Sequence, residues 1–147
     1  MEPRMDMWKV NPEAYQAMSK LEKYASSTSI HPTIKELIKI RASQINGCAF
    51  CIDMHTKDAR KLGESEQRIY ALNAWRETNF FTPEEQAALA LTEAVTLCAD
   101  THVPDDVYQQ AKEFFSDKEI SELIMLIVTI NAWNRINVTI QNIPADN

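Results

Sequence analysis

The stretch Ile45-Asn46-Gly47-Cys48-Ala49-Phe50-Cys51-Ile52-Asp53-Met54-His55 sets two thiols and an imidazole within two turns of one helix. At about 100° per residue, with Cys48 as the origin, Cys51 falls at about 300° and His55 at about 340°, so the three side chains share a face roughly 60° wide. Helix geometry also puts the Cα atoms of Cys48 and Cys51 about 5 Å apart, a separation that a disulfide bridges with little strain. A reversible dithiol is therefore feasible. Ile52, Ala59 and Leu62 fall beside the thiols while Asp53, Thr56, Lys57, Arg60 and Lys61 fall opposite, so the sulfurs are expected to face inward. Phe50 lies at about 200°, on the polar side, where an exposed aromatic reads as a subunit or partner contact.

Outward from this segment the chain reads as helices joined by short turns. Gly47 breaks the chain before the cysteines, and Gly63 stands where a left-handed cap would stop their helix. Upstream, His31-Pro32-Thr33 opens a helix with Ile34, Leu37, Ile38 and Ile45 as its apolar stripe. Arg41 falls inside that stripe and so needs a carboxylate partner or a route past the core edge. Glu36 lies toward the margin, and on pattern alone it reads as a solvated acid. Before these, Asn11-Pro12-Glu13 supplies an N-cap, a first-position proline and a first-turn acid, followed by Ala14, Met18, Leu21 and Ala25 at helical spacing. Trp8 is expected to pack as an N-terminal anchor, with docking on a neighbouring subunit as the alternative.

Downstream, a helix is expected over 64–77, and Thr82-Pro83-Glu84-Glu85 starts a long one with Ala88, Leu91, Val95 and Cys98 on one side. Cys98 therefore reads as a small buried hydrophobe, and His102 as an exposed turn residue. Pro104-Asp105-Asp106 begins a short helix. Ser116-Asp117-Lys118-Glu119 matches a capping box and launches the last helix, which runs toward Gln141. Its middle, Ile120 to Ile130, is apolar on more than one face, as in a helix enclosed by others or by another subunit. Asn131, Asn134 and Arg135 follow among apolar neighbours and need hydrogen-bond partners.

Composition agrees with an all-α fold over a single domain, 1–147. Two glycines and six prolines against 45% apolar residues suit helices better than a turn-dense β-protein. A net charge of -6 without a basic stripe argues against a nucleic-acid surface. Met1 to Val10 lacks the apolar run of a secretory signal, and the strongest apolar run, Leu123 to Val128, is too short to span a bilayer. The expectation is a soluble cytoplasmic protein with no membrane partner, in a compartment where thiols cycle.

The thiolate is the nucleophile, so what lowers a cysteine pKa decides the chemistry. The Gly47 break puts Cys48 in the first turn, where free backbone N–H groups favour an anion. His55, about 6 Å from Cys51 by Cα geometry, offers that sulfur a base or a cation. Burial works the other way and raises a thiol pKa, so a proton acceptor is needed. Helix position favours Cys48 as the attacking thiol and proximity to His55 favours Cys51. If peroxide oxidises one sulfur to a sulfenic acid, the other condenses with it, and an external thiol then reopens the disulfide. Zinc held by Cys48, Cys51 and His55 is a second reading, although a closed site needs a fourth ligand. Inert core cysteines are a third. The pattern calls for no cofactor.

The run Arg41-Ala42-Ser43-Gln44-Ile45-Asn46-Gly47-Cys48-Ala49-Phe50-Cys51, continuing to His55, resembles the AhpD-like alkylhydroperoxidases of the carboxymuconolactone decarboxylase superfamily, as does Glu36, twelve residues before Cys48. Ile130-Asn131-Ala132-Trp133-Asn134-Arg135 also looks like the single-domain members. The resemblance implies an AhpD-like helical domain with the C-x-x-C at the start of a central helix, assembled as a homotrimer or hexamer. It implies a thiol-dependent peroxidase or thiol-disulfide reaction on hydroperoxides, with Cys51 attacking, Cys48 resolving, and Glu36 and His55 relaying a proton. The reductant would be a lipoyl-bearing or thioredoxin-like protein. The prototypes carry a further histidine just before the second cysteine, where this chain has Phe50. A decarboxylase-type lyase, which in related members works without a cysteine pair, and a non-catalytic oligomeric protein are the remaining alternatives.

Overall fold

A computed structural model describes residues 1–146. The chain forms α1 (Met7–Val10), α2 (Pro12–Ser27), α3 (Pro32–Asn46), α4 (Ala49–Lys61), α5 (Glu66–Tyr70), a 3-10 segment (Leu72–Glu77), α6 (Pro83–Thr96), α7 (Cys98–Thr101), α8 (Asp105–Phe114) and α9 (Asp117–Ile140). There is no strand among the described residues. The long helices begin where their caps stand in the sequence. Asn11 Oδ1 accepts from Ala14 N–H, His31 Nδ1 from Thr33 N–H, and Thr82 forms a reciprocal capping box with Glu85. Ser116 caps α9 through Glu119 N–H, but the Glu119 carboxylate bonds the Ser116 hydroxyl, so the expected reciprocal box is replaced by a side-chain pair.

Helix α3 organises the packing because both of its apolar edges are covered. Ile34, Ile38 and Ala42 join Ala87, Ala88 and Leu91 of α6 and Leu123, Leu126, Ile127 and Ile130 of α9 in one buried cluster. Leu37 and Ile40 join Ala59 of α4, Leu72 and Trp75 of the 3-10 segment, and Leu89 of α6 in a second. Each fully buried Leu or Ile contributes about 1.5–3 kcal/mol relative to exposure. By length and composition α9 could cross a membrane, but Leu123, Leu126, Ile127 and Ile130 belong to the first cluster and face α3 and α6. One face of α9 is thereby used in the interior, while Ile124, Val128 and Val138 stay exposed.

Several expectations need correction. The segment 64–77 is not one helix: α5 stops at Tyr70, and Ala74 leaves helical geometry at φ -123°. Leu72 and Trp75 both enter the second cluster, one on each side of the kink at Ala74. Cys98 is exposed, because α6 ends at Thr96 and the backbone turns at Leu97 (φ -99°, ψ 27°), carrying the next residue off the apolar stripe. Leu62, placed by periodicity on the inward face, is 54% exposed because it is the C-cap, beyond the last helical residue. Trp8 does act as an anchor, in a short helix the pattern did not indicate, with its ring against Tyr15 and edge-on to Trp133. Arg41 finds its carboxylate, with Nε 2.9 Å from Glu93 Oε1.

Candidate active site

The turn between α3 and α4 positions the sulfurs. Gly47 ends α3 at φ 66°, a left-handed conformation that a side chain disfavours, and Cys48 N–H reaches back to the Ser43 carbonyl at 3.0 Å. Cys48 is consequently the N-cap of α4 rather than a member of its first turn, and its Sγ accepts from Cys51 N–H at 3.3 Å. Cys51 stands within the first turn. The two form a disulfide with Cα atoms 5.3 Å apart, close to the separation expected from the spacing. Both are buried, at 2% and 1% exposure.

Polar side chains from α9 fasten this turn from outside. Asn46, the last residue of α3, donates to Asn131 Oδ1 at 2.9 Å and Asn134 Oδ1 at 3.0 Å. Asn134 donates in turn to Ser43 Oγ, and Asn131 to Thr96 Oγ1. These bonds answer the need for partners that the Ile130–Arg135 segment raised. Arg135 closes the set with a bond to Asn131 Oδ1 at 2.7 Å.

His55 lies on the same face of α4, one turn after Cys51, and is buried. Its Nδ1 is 3.2 Å from Glu36 Oε2, while Lys39 Nζ is 3.2 Å from Glu36 Oε1. An ionised carboxylate only accepts, so Nδ1 carries the proton and Nε2 remains to exchange one. Burial pushes the Glu36 carboxyl up, but the hydrogen bond to His55 and the charge of Lys39 outweigh it and hold the group below its ordinary value. The solvated acid expected from the wheel is therefore a buried, paired one. The wheel failed there because the face beside Ile40 is covered by α4, which a single helix cannot report.

A cavity of about 480 Å³ opens onto His55, with Glu36 behind the ring. Cys51 and His55 line it, with Trp8, Phe50, Met54 and Trp133 supplying apolar walls. Cys48 is not among its lining residues, although the two cysteines are equally buried. Phe50, expected to point out toward a partner, is half-buried and belongs to this wall. A larger cavity of about 670 Å³ on the far side of α4, bounded by Ile52, Lys57, Arg60 and Tyr70, holds neither cysteine nor His55.

Glu36, His55 and Asp58 present ligand atoms within 4.8 Å of one another and are the set best arranged for a cation, although Lys39 already balances Glu36. The zinc set expected from the sequence, Cys48, Cys51 and His55, has its two sulfurs tied to each other, and a disulfide is not a thiolate ligand. Lys39, Asp58 and Asn137 were missed by the sequence reading. Asn137 carried a visible signal: Asn131, Asn134 and Asn137 recur every third residue along the second half of α9.

Comparison with known proteins agrees with this architecture. The model of the carboxymuconolactone decarboxylase family matches residues 12–94, more than half of the chain. The uncharacterized protein YdfG of Bacillus subtilis (strain 168) is 49% identical over 142 residues, 97% of each chain. A crystal structure of a protein of unknown function from Agrobacterium tumefaciens, suggested to be the antioxidant defence protein AhpD, superposes with a TM-score of 0.97 at 42% identity, covering 99% of this chain and 100% of the other. The fold recurs at 17% identity and a TM-score of 0.83 in an uncharacterized peroxidase-related protein of Ralstonia eutropha JMP134, over 95% of this chain and 75% of that one. Matched by family model, by close relative and by structure, the chain is an AhpD-like member of the carboxymuconolactone decarboxylase family.

Proposed function

We propose that the protein is a soluble, cytoplasmic thiol-dependent peroxidase, or a thiol-disulfide oxidoreductase using the same pair, that reduces hydroperoxides through a Cys48/Cys51 cycle. The observation that carries this reading is a bridged sulfur, Cys51, lining a cavity beside a His55–Glu36 hydrogen-bonded pair. In the reduced enzyme Cys51 thiolate attacks the distal oxygen of the hydroperoxide, the O–O bond breaks, and Cys51 becomes a sulfenic acid. The departing alkoxide takes from His55 Nε2 the proton that this nitrogen accepted from the Cys51 thiol, while Glu36 holds the ring in orientation, and leaves as the alcohol. Cys48 then attacks the Cys51 sulfur, releasing water and closing the disulfide. An external dithiol restores the pair by exchange and is itself oxidised. The cavity lining supports Cys51 as the attacking sulfur, since Cys51 borders the space a hydroperoxide would enter and Cys48 does not.

A lipoyl-bearing or thioredoxin-like protein supplies the reducing thiols in this proposal, and the chain works as a homotrimer or hexamer. Ile124, Val128 and Val138 of α9 are exposed and give the assembly an apolar surface.

Steady-state turnover of an organic hydroperoxide with a dithiol reductant tests the reading. Cys51→Ser is expected to abolish turnover, and Cys48→Ser to leave a trapped sulfenic acid at Cys51, one oxygen heavier by mass mapping. Equal turnover by Cys51→Ser and the unaltered chain would overturn the proposal, as would stoichiometric zinc in the purified protein.

A further inference from the structure

We infer that Asn137 of α9 is the donor that stabilises Cys51 as a thiolate once the disulfide is opened. This rests on the reading of Cys51 as the attacking sulfur. Asn137 is 5% exposed, and its Nδ2 lies 3.6 Å from Cys51 Sγ, a hydrogen-bond separation for the larger sulfur atom. The same nitrogen is 3.0 Å from the Trp133 carbonyl oxygen, one turn back. A carbonyl only accepts, so the nitrogen side of the amide faces it and spends one hydrogen there. The second hydrogen is the one directed at the sulfur. On the other side, Asn137 Oδ1 accepts from Asn142 Nδ2 at 3.0 Å. Turning the oxygen toward Cys51 would break both bonds.

The two sulfurs thus receive their donors from different parts of the molecule. Cys48 Sγ is served by a backbone N–H of its own helix, and Cys51 Sγ by a side chain of α9. The distinction matters because the charges around the cavity do not favour an anion at Cys51. Asp58 joins His55 on α4, Glu36 and Lys39 come from α3, and Glu22 from α2. Three carboxylates stand against one lysine and one imidazole, and burial adds to the penalty on the thiolate. A neutral amide offsets this locally, since an N–H donor binds a thiolate more strongly than a thiol and brings no charge of its own.

The test measures the thiols directly, in the reduced full-length chain under anaerobic conditions. Iodoacetamide alkylation is followed against pH, with mass mapping to separate the two cysteines. Asn137→Leu removes the donor without adding charge, and Asn137→Asp replaces it with a carboxylate of nearly the same shape. The Cys51 midpoint is expected to rise by about one unit in the first, seen as roughly tenfold slower alkylation near neutrality, and further in the second. Cys48 should change by less than about twofold. An unchanged Cys51 midpoint in both variants overturns the inference, and so does an equal shift at both cysteines, which would mark a general loosening. Should Asn137→Leu fail to fold, Asn137→Asp decides alone. No peroxide enters the measurement, so a selective Cys51 shift in a chain without hydroperoxide turnover would sink the peroxidase reading and leave this one standing.

Discussion

Glu36 and Glu93 are two carboxylates of similar burial, with side chains 11% and 15% exposed, and they are held in opposite ways. Around Glu93 gather Arg41 at 2.9 Å, the Trp75 indole N–H at 2.8 Å, and Arg76 in close contact. Burial pushes its carboxyl up, but bonds from Arg76, Arg41 and Trp75 outweigh it and hold the group below its ordinary value. Both cations are guanidinium groups that keep their protons at any working pH. Glu36 is also held low, yet one of its two partners is an imidazole, which can both donate and accept a proton, and it lines a cavity that a sulfur also borders. Burial alone does not separate a structural acid from a candidate relay. The titratability of the partner does.

The comparison breaks first at Glu36. Glu36→Gln is expected to lower hydroperoxide turnover by about 100-fold or more, in the range of a lost acid-base group and beyond any loss of folded protein. An unchanged kcat in a folded variant would place the relay elsewhere. Glu93→Gln should do the reverse. It leaves Arg41 partly buried beside a neutral amide and is expected to destabilise the fold by about 2 kcal/mol in urea unfolding, with the pH-rate profile unmoved. Arg76, half in water, adds little to that figure.

Stability against pH tests both acids together. Each has a folded pKa below its unfolded value, so the unfolded chain binds more protons in that window. Their contribution is fully present above the ordinary glutamate value of about 4.3 and is lost as pH falls through the lower folded values. The acid slope of the thermal midpoint should flatten in the Glu36→Gln/Glu93→Gln double variant. The smallest effect is expected from Lys39→Met. Removing that charge lets the Glu36 pKa rise, so the acid limb of the pH-rate profile moves to higher pH by less than about one unit. A shift to lower pH would contradict the assignment.

Much of the architecture was legible locally. Asn11, His31, Thr82 and Ser116 each cap the helix they announced, Gly47 breaks the chain between α3 and α4 as expected, and Gly63 takes a positive φ at the end of α4. Capping and turn geometry depend on a few adjacent residues, so the sequence carries them whole. The spacing of Cys48 and Cys51 likewise set their Cα separation, because one helical turn fixes it. Arg41, stranded in an apolar stripe, announced that a carboxylate must meet it without saying which.

What the chain could not state by itself is which faces its own helices would cover. Periodicity describes a helix alone in water, and so it sent Glu36 and Phe50 outward and Cys98 inward; α4 over α3, the cavity under Trp8 and Trp133, and the turn at Leu97 reversed all three. Asn137 meets Cys51 across 86 positions of sequence for the same reason. Local order follows from short-range sterics and hydrogen bonds written into neighbouring residues. The meeting of distant side chains exists only once the helices have packed, and in this protein that meeting places an amide against the Cys51 sulfur and an imidazole, backed by a carboxylate, on the cavity that Cys51 lines.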